Sequence, residues 1–221
     1  MINKYSTRLI DIYEKGLSLS EIYSPYMMWK LAKCKDDCVR SDLAKTLVYD
    51  ADSNVALDIL CKLAKDKDEL VRVEAIDSLS EYCCEKSYKA LKNALGDSDY
   101  LVRKYALFGI SYVGKELCPD ETIAILYENE KKEVNLHCKL SIHEGLYMLG
   151  EEAYLNRLMS LFWTDDYQIQ CSVANALSEI VDENNIMLVR KFLESISLEE
   201  HPVSVLSSIN NLKKVCLEVD E

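Results

Sequence analysis

One motif recurs five times along this chain at nearly constant spacing, and that repetition restricts the possible folds more than any other feature. It runs Asp or Asn, two residues, an apolar residue, a cationic or polar residue, then apolar positions four and eight beyond the first. The leading position is Asp36, Asp68, Asp99, Asn135 and Asp166, at spacings of 32, 31, 36 and 31 residues. The first apolar anchor is Val39, Val71, Val102, Cys138 and Ile169. Four residues on stand Leu43, Ala75, Ala106, Ile142 and Val173, and four beyond those Leu47, Leu79, Ile110, Leu146 and Leu177. Apolar residues recurring every four positions make the stripe of an amphipathic helix. A unit this short cannot bury its apolar face alone, so copies must stack into a continuous core.

Between the stripes lie second apolar helical segments, roughly 21–34, 53–65, 86–95, 119–130, 151–162 and 185–196, so each unit is a helix pair. The short side-chain oxygen at each motif start fits an N-cap, accepting from the orphan amides of the first turn. Ser18 with Glu21 and Asp66 with Glu69 read as capping boxes, and Pro119 with Asp120 and Glu121 suits a first turn. Arg40, Arg72 and Arg103 follow the first anchors, placed to pair with the leading aspartate or its neighbour in the next unit. The expected fold is all-α: a right-handed α-α superhelix of about six helix pairs in one domain. Residues 1–19 form an N-terminal capping helix, 20–182 the clear repeats, and 183–221 an atypical C-terminal cap with Pro202 at the aspartate position and Lys213 at the last anchor. Six Gly and three Pro are too few for the turns of an all-β chain.

The pattern D-x-x-V-R-x-x-A-x-x-x-L, best copied from Asp99 to Ile110, resembles the short HEAT-like repeats of the family that includes the phycobilisome lyase subunits. The resemblance covers about residues 20–182. It implies an armadillo-type α-solenoid with an extended concave surface for binding. The Trp, Gly-Tyr and Pro positions of tetratricopeptide repeats and the Thr-Pro-Leu-His turn of ankyrin repeats are missing.

Acidic residues outnumber basic ones 38 to 26, a net charge of −12, which makes nucleic acid and anionic membranes poor partners. The surplus is local: residues 1–115 hold 18 of each sign, whereas residues 116–221 hold 8 basic against 20 acidic. Such a field steers a basic protein partner toward the later repeats. Lys4, Arg8, Asp11, Glu14 and Lys15 interrupt any signal-peptide core, so a cytoplasmic location is expected. The nine cysteines, odd in number and scattered through helical patterns, read as small buried hydrophobes rather than a disulfide framework or a metal site.

The spacing from Gly109 to Gly114-Lys115 mimics a phosphate-binding loop, but Glu116 replaces the required Ser or Thr, and Gly145 and Gly150 repeat the pair in register. The glycines are read as a close helix approach followed by a left-handed C-terminal cap. The carboxylate pairs Asp36-Asp37, Asp165-Asp166 and Glu199-Glu200 fall in turns between helices, and none of His137, His143 and His201 sits in a catalytic motif. No cofactor is expected. One helix phase runs from Arg72, Ile76 and Asp77 through Lys104, Phe108 and Tyr112 to His143, Glu144 and Tyr147, then Asn175 and Ser178. It is read as an inner-face band of aromatic and hydrogen-bonding groups.

A non-enzymatic, protein-binding solenoid is therefore expected. The residues carrying recognition are Lys104, Phe108, Tyr112, His143, Glu144 and Tyr147, with Asp165 and Asp166 at an acidic rim. A bacterial immunity protein masking a cationic toxin domain is the most concrete version that the resemblance implies. The alternatives are a chromophore-handling lyase, a DNA-glycosylase-type enzyme, or a general assembly chaperone or adaptor. One prediction follows from the cysteine pattern: all nine thiols are reduced in native protein, read by alkylation without prior reduction. Mass spectrometry finding two intact intramolecular disulfides would overturn both the redox and the cytoplasmic reading.

Overall fold

The computed structural model describes residues 3–197 and 201–219. Among them all regular structure is helical. In chain order the helices are α1 (Lys4–Glu14), α2 (Leu19–Ile22), α3 (Pro25–Leu31), α4 (Asp37–Thr46), α5 (Asn54–Leu63), α6 (Glu69–Leu79) and α7 (Glu85–Ala94). They continue with α8 (Tyr100–Leu117), α9 (Pro119–Glu130), α10 (Leu136–Met148), α11 (Ala153–Ser160), α12 (Tyr167–Ile180), α13 (Ile186–Glu194) and α14 (Val203–Glu218). From α3 onward they run as six helix pairs. The chain divides into two compact units, Met1–Glu128 and Asn129–Glu221.

In the first unit α1, α4, α6 and α8 pack in succession as one layer, and α3, α5 and α7 form a second layer, each against its following partner. The repeated anchors hold the layers together: Val39, Leu43, Leu47, Val71, Ala75, Leu79, Val102, Ala106 and Ile110 have no exposed surface. Seven residues after each first anchor stands a small residue, Thr46, Ser78 or Gly109, where neighbouring helices of the layer approach. Thr46 donates its hydroxyl to Leu9 O at 3.3 Å, and Ser78 to Ala44 O at 2.9 Å. A Cβ on Gly109 would meet Leu91 Cδ2 at 2.9 Å and Ser80 Cβ at 3.1 Å.

In the second unit α10, α12 and α14 pack in succession, with α11 against α10 and α13 against α14. The core gathers Phe162, Val173, Leu177, Val189, Val205, Ile209 and Leu212. Pro202 stands just before α14 as expected, but the final anchor is Leu212, fully buried, rather than Lys213. The pair Glu199-Glu200 lies outside the described residues.

All five motif starts are side-chain N-caps: Asp36, Asp68, Asp99, Asn135 and Asp166 each accept from an amide of the following first turn. Arg40 and Arg72 bind, rather than these caps, the aspartate two residues before the next cap: Arg40 binds Asp66 and Arg72 binds Asp97, both bidentate at 2.8–2.9 Å. The same guanidinium donates to the turn before its own helix: Arg40 to Cys34 O and Lys35 O, Arg72 to Asp66 O and Lys67 O, Arg103 to Asp97 O and Ser98 O. Asp66 and Asp97 also accept the amides of Asp68 and Asp99, which sets the caps in place. Loss of hydration works against these carboxylates, but the arginine hydrogen bond and the backbone amide hold both below the usual aspartate range.

Several local expectations need correction. Residues 21–34 are not one helix: the chain breaks at Tyr23, and Ser24 caps α3 with Pro25 at its first position. Neither capping box forms. At the start of α2 the buried Asp50 does that work from a distance, accepting Leu19 N and Ser20 N at 2.9 Å and the Ser18 hydroxyl at 2.8 Å. Asp66 serves the arginine pairing while Asp68 caps α6. Gly114 is no left-handed cap, because α8 continues to Leu117; a Cβ there would fall 2.0 Å from Thr122 Oγ1, so the glycine admits α9. Gly150, at φ 97°, is the left-handed terminus. Only Cys138 and Cys216 of the nine cysteines are buried, and Cys38 and Cys83 are exposed.

The arginine pairings yield a stability contrast. Arg40→Met strands Asp66 in a site where the two side chains are only 5% and 13% exposed, and is expected to cost about 3 kcal/mol. Lys86→Met, which breaks the half-exposed pair with Asp58, is expected to cost no more than about 0.5 kcal/mol. Urea midpoints of the two variants check this, and equal shifts would contradict it.

Candidate functional site

The solvent side of the α4, α6 and α8 layer follows from the repeat. Positions three, six and ten after the first anchor are Asp42, Glu74 and Tyr105; Lys45, Asp77 and Phe108; and Tyr49, Glu81 and Tyr112. All nine are exposed or half-buried. With the anchors turned into the core, the helix pitch leaves these positions on the opposite face. Lys45 Nζ lies 4.6 Å from the centre of the Tyr13 ring, which packs 5.6 Å from Tyr49. Phe108 and Tyr112 stack at 4.7 Å with their planes tilted by 45°, and Lys104 Nζ stands 5.1 Å from the Tyr105 ring.

Two carboxylates on this face, half-buried Glu74 and exposed Asp77, are shifted by their crowded surroundings. Loss of water raises Glu74 above the usual range, with Lys45 opposing and Asp77 and Asp42 adding repulsion. Asp77 is raised in the same way, first by desolvation and then by Glu81, against Lys104 and Lys45. Tyr105 is raised by desolvation and by these two acids. A crowded set of carboxylates beside aromatic faces gains most from an incoming organic cation, which relieves the repulsion and packs its stem on the rings. The nine positions include no histidine, cysteine or serine.

Of the sequence-predicted residues, Lys104, Phe108 and Tyr112 belong to this face. Arg72 serves the turn, Ile76 is buried, and Asp77 is exposed where expected. Tyr13, Lys45, Tyr49, Glu74, Glu81 and Tyr105 were missed, although the phases of Phe108 and Tyr112, carried one and two units back, point to Lys45, Tyr49 and Glu81.

In the second unit the expected surface position of His143 and Glu144 is corrected: they are 8% and 4% exposed. His143 stands five residues after its anchor, the buried phase of Ala44, Ile76 and Leu107. Its Nε2 lies 3.3 Å from Glu130 Oε1. Glu130 also accepts the Tyr154 hydroxyl at 2.6 Å and Arg157 Nη1 at 2.8 Å. Desolvation lowers His143 below the ordinary imidazole range despite Glu130. Glu130 itself, though partly dehydrated, is held low by the Tyr154 hydrogen bond and by Arg157 and His143.

Tyr147 is half-buried, and its hydroxyl accepts Asn185 Nδ2 at 2.7 Å on the wall of a groove of about 380 Å3 that also includes Glu152, Asn156 and Leu188. Asp165 and Asp166 are both exposed, with Asp166 capping α12. Among the described residues, no group of three or more His, Cys, Asp or Glu is arranged to hold a metal ion, and no helix is long and apolar enough to cross a membrane.

The paired helices, capped turns and arginine-linked turns define an array of repeated helix pairs. Residues 25–111 match the family model of HEAT repeats. Among solved structures, the chain is similar to the complex of CpcE and CpcF of phycocyanin lyase from Nostoc sp. PCC7120, at 12% identity and a TM-score of 0.48, covering 87% of this chain and 95% of that one. It is also similar to an engineered protein at 17% identity and a TM-score of 0.47, covering 88% of this chain and 96% of that one. No curated protein sequence matches the chain.

The His143 environment predicts a pH response. Because the folded state holds this imidazole below its unfolded value, the unfolded chain binds the extra proton first. The stability His143 confers is complete above about pH 6.5 and is lost as pH falls below it. Denaturation midpoints taken from pH 7.5 to 5 are expected to fall more steeply for the natural chain than for His143→Gln; parallel curves would refute the placement.

Proposed function

We propose that this chain is a non-enzymatic binding scaffold that recognises a basic protein partner on the α4, α6 and α8 face of its first unit. The observation that supports this reading is the grouping of Phe108, Tyr112, Tyr105 and Tyr49 with the carboxylates of Glu74 and Asp77. Exposed aromatic side chains act as anchors because they bury large, rigid areas at little entropic cost, and carboxylates among them select cationic groups. The acidic surplus of residues 116–221, including Asp165 and Asp166, adds long-range attraction for the same kind of partner. A cationic toxin domain is one partner of this chemistry, which makes an immunity role a specific form of the proposal.

The test is kinetic and uses a basic partner captured from native lysate at low salt. Phe108→Ala or Tyr112→Ala is expected to cost about 2 kcal/mol, roughly a thirtyfold faster dissociation, with little change in association. Asp165→Asn with Asp166→Asn is expected to slow association and flatten its salt dependence while leaving dissociation nearly unchanged. Aromatic variants that bind like the natural chain would remove this face as the site.

A further inference from the structure

A second surface lies in the first unit, sharing Asp42 with the aromatic face, where α1 meets the first turns of α4 and α6. It is a groove of about 490 Å3, and its lining includes Ile10, Cys38, Leu70, Asp37, Asp42 and Asp68. We propose that this groove docks an extended segment of a partner protein through an arginine side chain set beside an apolar residue.

Three observations carry the assignment. First, the groove is apolar where it opens: Leu70 is 58% exposed and Ile10 41%, although each helix otherwise turns its large apolar residues into the core. Second, its charge has one sign. Four aspartates, with Asp36, line it together with no lysine or arginine, within a half of the chain whose charges otherwise balance. Lys45, the cation nearest to Asp42, is held at the Tyr13 ring. The Cys38 thiol reports the same field, raised by desolvation and then by Asp36, Asp37 and Asp42.

Third, the carboxylates are only partly occupied. Asp68 uses Oδ1 for both the Leu70 and Val71 amides, Asp36 holds Cys38 N and Asn3 Nδ2, and Asp42 accepts the Ser6 hydroxyl. Asp37, at the first position of α4, is exposed. A compact divalent cation is the other occupant such charge suggests, but these acids are not arranged as a metal-binding group. A guanidinium suits the geometry better: its planar donors reach spaced carboxylates, while its methylene stem covers Ile10 and Leu70.

This inference shares only Asp42 with the aromatic-face reading, and one experiment separates them through Leu70 and Phe108. A short fluorescein-labelled peptide of alternating arginine and leucine is titrated against the full chain by anisotropy, with a glutamate-leucine peptide as its counterpart. Asp37→Asn with Asp42→Asn is expected to weaken the arginine peptide by about tenfold or more. Leu70→Ser, which alters no charge, is expected to weaken it about as much. Asp165→Asn with Asp166→Asn, equal in charge to the first variant, and Phe108→Ala should both stay within about twofold of the natural chain.

Unchanged thermal midpoints accompany a valid reading; for any variant that loses stability, Leu70→Thr replaces Leu70→Ser and Asp37→Asn alone replaces the double change. Equal weakening by both aspartate pairs, binding indifferent to residue 70, displacement by calcium at matched ionic strength, or binding of the glutamate peptide would each overturn the proposal.

Discussion

The turns between helices depend on a shared charge. Arg40 and Arg72 each bind the aspartate that precedes the next cap and, with their remaining donors, the carbonyls of the turn behind them. One guanidinium thereby ties two successive turns, and the aspartate it binds also fixes the amide of the next cap. Hydrophobic burial supplies the drive to stack helix pairs, but it is non-directional. The arginine pairing adds direction, because a bidentate bond between partly buried groups tolerates little sliding or rotation of one pair on the next. Where the chain replaces arginine by Gln170, the side-chain amide still reaches both ways, donating to Thr164 O at 2.8 Å behind it and placing its oxygen 3.3 Å from His201 Nδ1 in the turn before α14.

Within that frame, the small residue seven positions after each first anchor governs how closely helices of one layer approach. Thr46 and Ser78 use the closeness for hydroxyl bonds to the neighbouring backbone, whereas Gly109 makes room both for Ser80 at the end of α6 and for Leu91 of α7 in the other layer. The close layer leaves the opposite helix face clear, and there the side chains vary most from unit to unit: Lys45, Asp77 and Phe108 occupy equivalent places. A regular scaffold with irregular residues on one face is how repeat proteins gain binding surfaces without altering their cores.

The two units treat equivalent positions differently. Six residues after the anchor, Phe108 is half-buried and Asp77 exposed in the first unit, whereas Glu144 is buried in the second. The histidine beside it belongs to a phase that is buried in every earlier unit, and its place is filled by packing against Tyr154 at 5.4 Å and by Glu130. What reads along the sequence as one continuous band is, in space, an exposed aromatic and acidic face in one unit and an internal polar cluster in the other.

Sequence by itself determined the helix pairs, their number, the five caps and the buried anchors, because each rests on residues a few positions apart whose spacing matches a helical turn. It also showed that arginine and aspartate belong to the turns, though not which aspartate, since the true partner lies 25 or 26 residues away, in the turn that opens the next unit. Only the tertiary structure decided that Asp50 caps a helix some thirty residues earlier, that Gly114 admits Thr122, and that His143 faces Glu130 rather than solvent. These depend on how far one helix rotates against another, and a shift of one residue turns a side chain by about 100°. Local spacing carries the periodicity of a helix; which side of it meets water is decided by the neighbours it packs against.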